Sequence, residues 1–214
     1  IISNYGMTAV PKYYNFQGKA TFSLSDKHTL LWNTVYGDDS IRIKPGEDVE
    51  ESDDDNVDSA SGLVVNGLTL KSAVSRNLYA ETVLSFVRNR WSTDVWEEGV
   101  TRSESFFNNR SIESEATLKH DIVWLAGGHE LSGGFSVKNS RFDHDIFADP
   151  DTIYWYDTAF SDAKQDTITG VYLTYPKWRD EKKVSTLKSA AYAQLRLNPA
   201  GRLSLRLGGR YDYM

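Results

Sequence analysis

The side chains that could perform acid–base, nucleophilic or metal chemistry are few and scattered. The chain has no cysteine, which excludes a disulfide framework and a thiolate metal site. The histidines show none of the spacings of zinc or serine hydrolases. They are His28, His120, His129 and His144. The sequence therefore predicts no enzyme activity and no bound cofactor.

Two weaker chemical interpretations involve these histidines. His144 lies between Asp143 and Asp145 and could bind a metal ion, but adjacent residues on a loop rarely chelate without a rigid frame. His120 and Ser114 are expected on the same face of one strand and could form a lipase-like pair, but no further partner of a nucleophile can be named. We expect neither catalysis nor a metal site.

An acidic segment runs from about residue 37 to residue 62. Such a block of like charge repels itself and typically stays solvated. It lacks the glycine and the final glutamate that an EF-hand calcium loop requires. We therefore expect a solvated loop. Its carboxylates include Glu47, Asp48, Glu50, Glu51, Asp53, Asp54, Asp55 and Asp58.

Aromatic residues are concentrated in two other polar stretches, at 92–110 and 143–186. Tyrosine and tryptophan pack on planar or sugar-like ligands, and arginine binds anionic groups. Ligand binding is therefore a chemistry that these stretches could perform, although for any single residue a place in an aromatic belt at a membrane interface is the favoured interpretation. The candidate ligand-binding residues are Trp96, Arg102, Phe106, Phe107, Tyr154, Trp155, Tyr156, Tyr175, Trp178 and Arg179.

The rest of the chain alternates between apolar and polar residues, which is the period of a β-strand. Between residues 111 and 142, for example, Leu118 and Ile122 alternate with Lys119 and Asp121. The alternation recurs in four hairpins, or about eight strands, with short turns near residues 26, 76, 127 and 200. The last of these turns is expected at Asn198-Pro199-Ala200-Gly201. The stretch 143–186 has room for a small hairpin of its own.

The charged face of the third hairpin, at 111–142, argues for a membrane barrel. Burying unpaired charges in the dry core of a sandwich would cost several kcal/mol each, and a water-filled lumen largely removes that cost. Short turns that alternate with long loops are typical of outer-membrane barrels, with the turns periplasmic and the loops extracellular. The sequence therefore predicts an all-β, antiparallel transmembrane β-barrel segment. Trp32 and Trp124 suit its aromatic girdle.

The last hairpin carries a resemblance to a known family. The strand Ala191-Tyr192-Ala193-Gln194, a short turn and the strand from Leu205 to Asp212, LRLGGRYD, resemble a barrel hairpin of TonB-dependent outer-membrane receptors. The resemblance implies a 22-stranded barrel that encloses an N-terminal plug. Because the chain has about eight strands, starts at Ile1 and ends at Met214, we interpret residues 1–214 as a partial barrel domain, without the plug and the remaining strands.

The resemblance also implies a function. It predicts energy-coupled uptake of a scarce ligand across the bacterial outer membrane, most often a ferric siderophore and otherwise haem, cobalamin or an oligosaccharide. The expected partners are outer-membrane lipid, a small-molecule or metal-chelate ligand, and the TonB complex through the missing plug region. A net charge of −6 and a pI near 5.3 argue against a nucleic-acid partner.

Two other classes of function are compatible with the sequence. A complete eight-stranded outer-membrane barrel would serve as an adhesin or a structural protein. A soluble β-sandwich would bind carbohydrate. A second face rich in charge disfavours the sandwich, and the receptor-like last hairpin disfavours the small barrel.

Overall fold

The computed structural model describes residues 9–44, 55–97, 99–156, 169–200 and 203–214. Apart from a single 3₁₀ turn at Arg102–Glu104, the regular elements of these residues are all β-strands. No helix in these ranges is long and apolar enough to cross a membrane. The strands are β1 Ala9–Ser25, β2 His28–Ile43, β3 Asp55–Ser75, β4 Leu78–Glu97, β5 Phe107–Ala126, β6 His129–Ala148, β7 Asp151–Tyr156, β8 Thr169–Tyr175, β9 Trp178–Ala200 and β10 Leu203–Tyr213.

Eight of the strands form one antiparallel sheet in the order β1-β2-β3-β4-β5-β6-β9-β10. The other two, β7 and β8, pair with each other as a separate hairpin between β6 and β9. This confirms the predicted all-β antiparallel architecture with about eight strands. The small hairpin within 143–186 is confirmed as well.

The sheet has two free edges, β1 and β10. No pairing joins these edges among the described residues, so this part of the chain is not a closed eight-stranded barrel. No hydrophobic side chain in the described ranges is buried, so no core of the kind found in a sandwich is present there either. The geometry therefore favours a segment of a larger sheet over both alternative interpretations.

The short turns all lie at the same end of the strands, which we call the turn end. Three predicted turns are confirmed there, at Asp26-Lys27, Arg76-Asn77 and Gly127-Gly128. Gly127 and Gly128 have φ angles of +56° and +83°, as a two-residue hairpin turn of the primed type requires. Backbone bonds of 2.8 Å from Ala73 N–H to Lys27 O and from Leu125 N–H to Asn77 O join neighbouring hairpins. The opposite end of the strands is the loop end.

The last turn differs from the prediction. Strand β9 continues through Asn198 and Pro199 to Ala200, and the connection is residues 201–202, which lie outside the described residues. Asn198 is held in the strand because its backbone N–H donates to His129 Nδ1 (3.1 Å) and its side chain donates to the Gly128 carbonyl (2.6 Å). The side chain that was expected to form this turn therefore stabilises the neighbouring one.

The strands are much longer than predicted. Strands β3 to β6 have 20 or 21 residues each, whereas a tilted spanning strand needs about 9–11. The predicted loop at 92–110 is wrong over most of its length, because β4 continues to Glu97 and β5 begins at Phe107. The predicted loop at 143–186 likewise contains the end of β6 and the start of β9.

The predicted acidic loop at 37–62 is also largely strand. Strand β2 reaches Ile43 and β3 begins at Asp55, while residues 45–54, with most of the carboxylates, lie outside the described residues. The charges are tolerated in this ladder because they are paired across strands. Arg42 lies opposite Asp58 and donates to its carboxylate at 2.6 Å.

The two faces of the sheet differ in chemistry. Cross-strand register puts most of the large apolar residues on one side, as the alternation predicts, and we call this the apolar face. Leu31 and Val83 are among the exceptions on the other side. Its large side chains are exposed, for example Leu84 at 54% and Leu118 at 40%. One row across it consists of Ala20, Trp32, Leu68, Leu84, Leu118 and Val137.

The opposite, polar face carries paired charges. Near the turn end one of its rows contains Lys71 opposite Glu81, and Glu81 opposite Asp121. Lys119 contacts Asp121 at 2.6 Å. A sheet with one oily and one charged side suits a barrel wall between lipid and a wet lumen.

Candidate functional site

An aromatic pocket lies at the loop end of the polar face. Its cavity has a volume of about 450 Å³, within the range of small-molecule sites. Tyr175 and Trp178 are about half exposed, at 49% and 48%, so their rings are accessible to a ligand. The lining residues are Phe106, Phe107, Ala148, Asp149, Tyr175, Pro176 and Trp178, which we call the aromatic pocket.

Strand pairing positions the floor of this pocket. Phe107 lies directly opposite Ala148, and Ala148 directly opposite Trp178. Residues paired across antiparallel strands project to the same side, so these three share one face. Continuous register from Lys119 and Lys138 places them on the polar face. The pocket therefore opens on the side that would be the lumen of a barrel.

Hydrogen bonds and an ion pair fix the pocket walls. Phe106 accepts a backbone bond from Asp149 (2.7 Å) and donates one to Val95 (3.0 Å). Lys177 contacts the Asp149 carboxylate at 3.2 Å, and its ammonium lies 4.9 Å from the centre of the Phe147 ring. The aromatic residues are thus held by strands and by bonded loop backbone, which lowers the entropic cost of binding.

A charged cluster holds the 99–106 loop on the other side of the sheet. Asp94 is only 2% exposed and accepts hydrogen bonds from Arg102 (2.8 Å to Nε), Arg110 (2.7 Å) and Asn108. Arg102 also donates to Asp58 at 2.8 Å. We call these five residues the Asp94 cluster.

The Asp94 cluster offsets the cost of burying a carboxylate. An unpaired buried charge is expensive, and two guanidinium groups with an amide supply the donors that Asp94 needs. The pKa of the Arg102 guanidinium is raised above its ordinary value, mainly by its hydrogen bond to Asp94. By register, Asp58, Asp94, Asn108 and Arg110 lie on the apolar face near the loop end. The loop is therefore fastened to the outside of the wall.

The structure brings together four of the ten candidate ligand-binding residues. Phe106, Phe107, Tyr175 and Trp178 line the aromatic pocket. The two candidate arginines lie elsewhere, because Arg102 belongs to the Asp94 cluster and Arg179 pairs with Asp145 at 2.8 Å. Both guanidinium groups are thus already neutralised.

The remaining candidates are placed by backbone alone or lie apart. Trp96 is in β4 opposite Asn56, two residues from Asp94 and on the same face. Tyr154, Trp155 and Tyr156 are in β7, whose side chains lie outside the described residues. A ligand-binding role for the ten residues stays a prediction.

The histidines make local contacts and form no metal site. His144 is buried and its Nε2 lies 2.8 Å from Asp180. Alternation sends Asp143 and Asp145 to the opposite face, where they pair with Lys183 and Arg179. The triplet therefore does not converge on a metal, and the described residues contain no group of three metal-binding side chains.

The lipase-like pair is also not assembled. Ser114 and His120 are both in β5 on the apolar face, six residues apart, which corresponds to about 20 Å. His120 lies 2.9 Å from the Thr82 hydroxyl and contacts the ring of Phe135. His28 lies 2.9 Å from the Ser72 hydroxyl at the turn end.

Sequence reasoning missed Asp94. Its partners are 8, 14 and 16 residues away, on a different strand and in a loop, and only the register between β4 and β5 brings them together. The available signal was a carboxylate in a stretch that also carries several arginines. That signal does not specify the pairing.

A close contact on the polar face involves three adjacent strands. Tyr192 donates from its hydroxyl to Asp121 at 2.7 Å, passing over Gly134 on the strand between them. A Cβ at Gly134 would lie 2.5 Å from the His120 carbonyl oxygen and 2.9 Å from the Tyr192 ring. Glycine is therefore required for this close approach.

Solved structures of outer-membrane proteins share this fold. The ferripyoverdine receptor FpvA of Pseudomonas aeruginosa matches 97% of this chain with a TM-score of 0.62 and 15% identity. The outer membrane transporter YddB of Escherichia coli matches 94% of it with a TM-score of 0.54 and 14% identity. No protein-family model and no curated protein sequence matches the chain.

The matches cover 31% of FpvA and 27% of YddB, so this chain spans about a third or less of either protein. Identities this low show the fold alone. The chain has the fold of a segment of a bacterial outer-membrane β-barrel. This confirms the predicted fold class. It also confirms the resemblance noted in the sequence as far as the fold is concerned.

Proposed function

We propose that the chain is part of the barrel of a TonB-dependent outer-membrane receptor that imports a scarce ligand. The observation that carries the proposal is the aromatic pocket on the polar face at the loop end of a sheet whose other face is apolar and exposed. That position is where a ligand from outside the cell would first meet the lumen. The fold shared with FpvA and YddB supports a receptor or transporter role.

A ferric siderophore is the ligand class that we propose first. Planar chelating groups stack on aromatic rings, and the aromatic pocket supplies four rings in a cavity large enough for part of such a ligand. The solved FpvA receptor is bound to ferripyoverdine, which makes ferric chelates the natural first probes. Haem, cobalamin and oligosaccharides are the other ligand classes to compare.

The coupling partner is also part of the proposal. Residues 1–214 would form one sector of the barrel wall, and β1 and β10 would pair with further strands of the same receptor because free edges are poorly tolerated in lipid. Energy from the TonB complex would reach the ligand through a plug domain outside this sector. The role is binding and transport, without catalysis.

Tryptophan fluorescence tests the proposal on the full protein that carries this chain, in detergent micelles. Ferric catecholate, ferric hydroxamate, ferripyoverdine, haem and cobalamin are titrated separately. We expect one class to quench the signal saturably, and we expect Trp178→Ala to weaken that class about tenfold or more, as loss of an aromatic anchor does.

Trp124→Ala is the matched control, since Trp124 is half exposed at the turn end of the apolar face. It should leave the affinity unchanged. If none of the five probes binds, or if Trp178→Ala and Trp124→Ala have equal effects, the proposed pocket is wrong.

A further inference from the structure

Two arginines lie on the apolar face at the level where its apolar residues end. Register places Arg88 opposite Ser114 and Ser114 opposite Arg141, so the three share one row on β4, β5 and β6. The next row toward the turn end contains Phe86 and Leu187, both exposed. Two strand spacings separate the arginine backbones by about 10 Å.

Among the described residues, Arg88 and Arg141 have no hydrogen-bonding or ion-pair partner for their side chains, whereas the nearby Arg90 and Lys183 do. Neither makes an ion pair or a side-chain hydrogen bond with any residue that the structure describes. The carboxylates next to them are occupied, because Asp38 contacts Arg90 at 3.3 Å and Asp143 contacts Lys183 at 3.4 Å. The row therefore has an uncompensated charge of two cations.

Other arginines on the same face, closer to the loop end, have carboxylate partners. They are Arg42, Arg102, Arg110 and Arg179. Exposed arginines without partners occur at the border of the apolar residues, where lipid headgroups would lie. We call Arg88 and Arg141 the boundary arginines.

We propose that the boundary arginines bind the phosphate of an anionic lipid in the outer leaflet, with its acyl chains against Phe86 and Leu187. A guanidinium group donates two parallel hydrogen bonds to a phosphate, and two such groups about 10 Å apart can approach one headgroup from both sides. The Ser114 hydroxyl lies between them as a further donor. The inference rests on the proposed membrane location and not on the ligand pocket.

Retention of a phosphorylated lipid tests this site. The full protein is reconstituted into nanodiscs of zwitterionic phospholipid containing bis-phosphorylated lipid A, then transferred to detergent, and bound lipid is quantified by native mass spectrometry. The double variant R88Q/R141Q should retain about tenfold less lipid A than the wild type, since two charged hydrogen-bonding groups are lost.

Arg76→Gln is the matched control. Arg76 is an exposed arginine in the turn at the opposite end of the sheet, and its replacement makes the same change in charge as either single variant, R88Q or R141Q. It should retain as much lipid A as the wild type. If the double variant does not fold, the single variants R88Q and R141Q should each retain less lipid A than R76Q.

Two further arms separate the possible sources of the phosphate. The wild type should retain dephosphorylated lipid A as poorly as the double variant retains lipid A. Inorganic pyrophosphate should not displace lipid A from the wild type. Equal retention by R88Q/R141Q and the wild type would overturn the proposal. Displacement by free pyrophosphate would also overturn it, because the site would then bind phosphate and not lipid.

Siderophore titration of the same variants keeps the two proposals distinct. The boundary arginines lie on the face opposite the aromatic pocket, so R88Q/R141Q should bind the quenching ligand as the wild type does. Loss of lipid retention with normal ligand binding supports the lipid site. Normal lipid retention without binding of any probe counts against the ligand pocket alone.

Discussion

The turn half and the loop half of the sheet share one hydrogen-bonded ladder but differ in what they show to the outside. In the turn half the outer side chains are apolar and exposed, such as Leu84 and Leu118. In the loop half the same face carries ion pairs, such as Arg42 with Asp58 and Arg179 with Asp145. The backbone does not distinguish the two halves, and the proposed membrane location accounts for the difference because each half would then meet a different medium.

Strand length fits this division. A 20-residue strand tilted by about 40° covers about 50 Å along the barrel axis, whereas the apolar band of an outer-membrane barrel is about 25 Å tall. The ladder therefore extends well beyond the lipid on the loop side. Charged side chains there meet water, and their pairing fastens loops and strands above the membrane. The following predictions test the contrast, from the largest effect to the smallest.

A charge placed in the turn half of the apolar face should be the most damaging change. Leu68→Arg introduces a cation into the apolar band and should destabilise the folded protein in bilayers by about 2–4 kcal/mol. Ala60→Arg is the control, on the same strand and face but eight residues nearer the loop end, and should cost less than about 1 kcal/mol. Urea-dependent unfolding in liposomes measures both. Equal costs would mean that the two halves share one medium.

Removal of the buried carboxylate in the loop half should release its loop. Asp94→Asn removes the charged acceptor of Arg110 and one of the two carboxylate acceptors of Arg102, and should cost about 1–3 kcal/mol. Trypsin should then cut after Arg102 faster than in the wild type. Asp143→Asn breaks an exposed pair with Lys183 and should change stability by less than about 1 kcal/mol. If both variants resist trypsin as the wild type does, the Asp94 cluster does not hold the loop.

On the polar face, a methyl group at Gly134 should separate Tyr192 from Asp121. Gly134→Ala should cost about 1–3 kcal/mol, because the new atom meets a backbone oxygen and an aromatic ring. Gly67→Ala is the control on the same face, where nothing lies within 4 Å of the added Cβ. Thermal unfolding followed by circular dichroism compares them. A neutral Gly134→Ala would show that the three-strand contact does not matter for stability.

The sequence was sufficient for the parts of the fold that depend on local pattern. Alternation identified the faces of β5 and β6, and the Gly127-Gly128 pair identified its turn, because each feature is encoded by neighbouring residues. Strand ends were not predictable in the same way. Residues such as Arg42 and Asp58 read as loop until their cross-strand pairing is known.

In the candidate site, too, some features follow from local sequence and others depend on strand register. Composition was enough to select Phe106, Phe107, Tyr175 and Trp178 as candidates, which the structure places in one pocket, since aromatic residues in polar stretches are a local signal. Composition also selected Arg102 and Arg179, but register places them in ion pairs away from the pocket. Which face a loop-end side chain occupies depends on strand pairing over long sequence distances, and one sequence does not contain that information.

Single-cysteine labelling of adjacent residues tests the two-faced wall most directly, because the native chain has no cysteine. Leu84→Cys lies on the apolar face and Ser85→Cys on the polar face of β4. In outer-membrane vesicles, a fluorophore at position 84 should be quenched by nitroxides on lipid chains, and a cysteine at position 85 should react with a water-soluble maleimide. Reaction of both positions with the aqueous reagent, or quenching at 85 but not at 84, would contradict the membrane account.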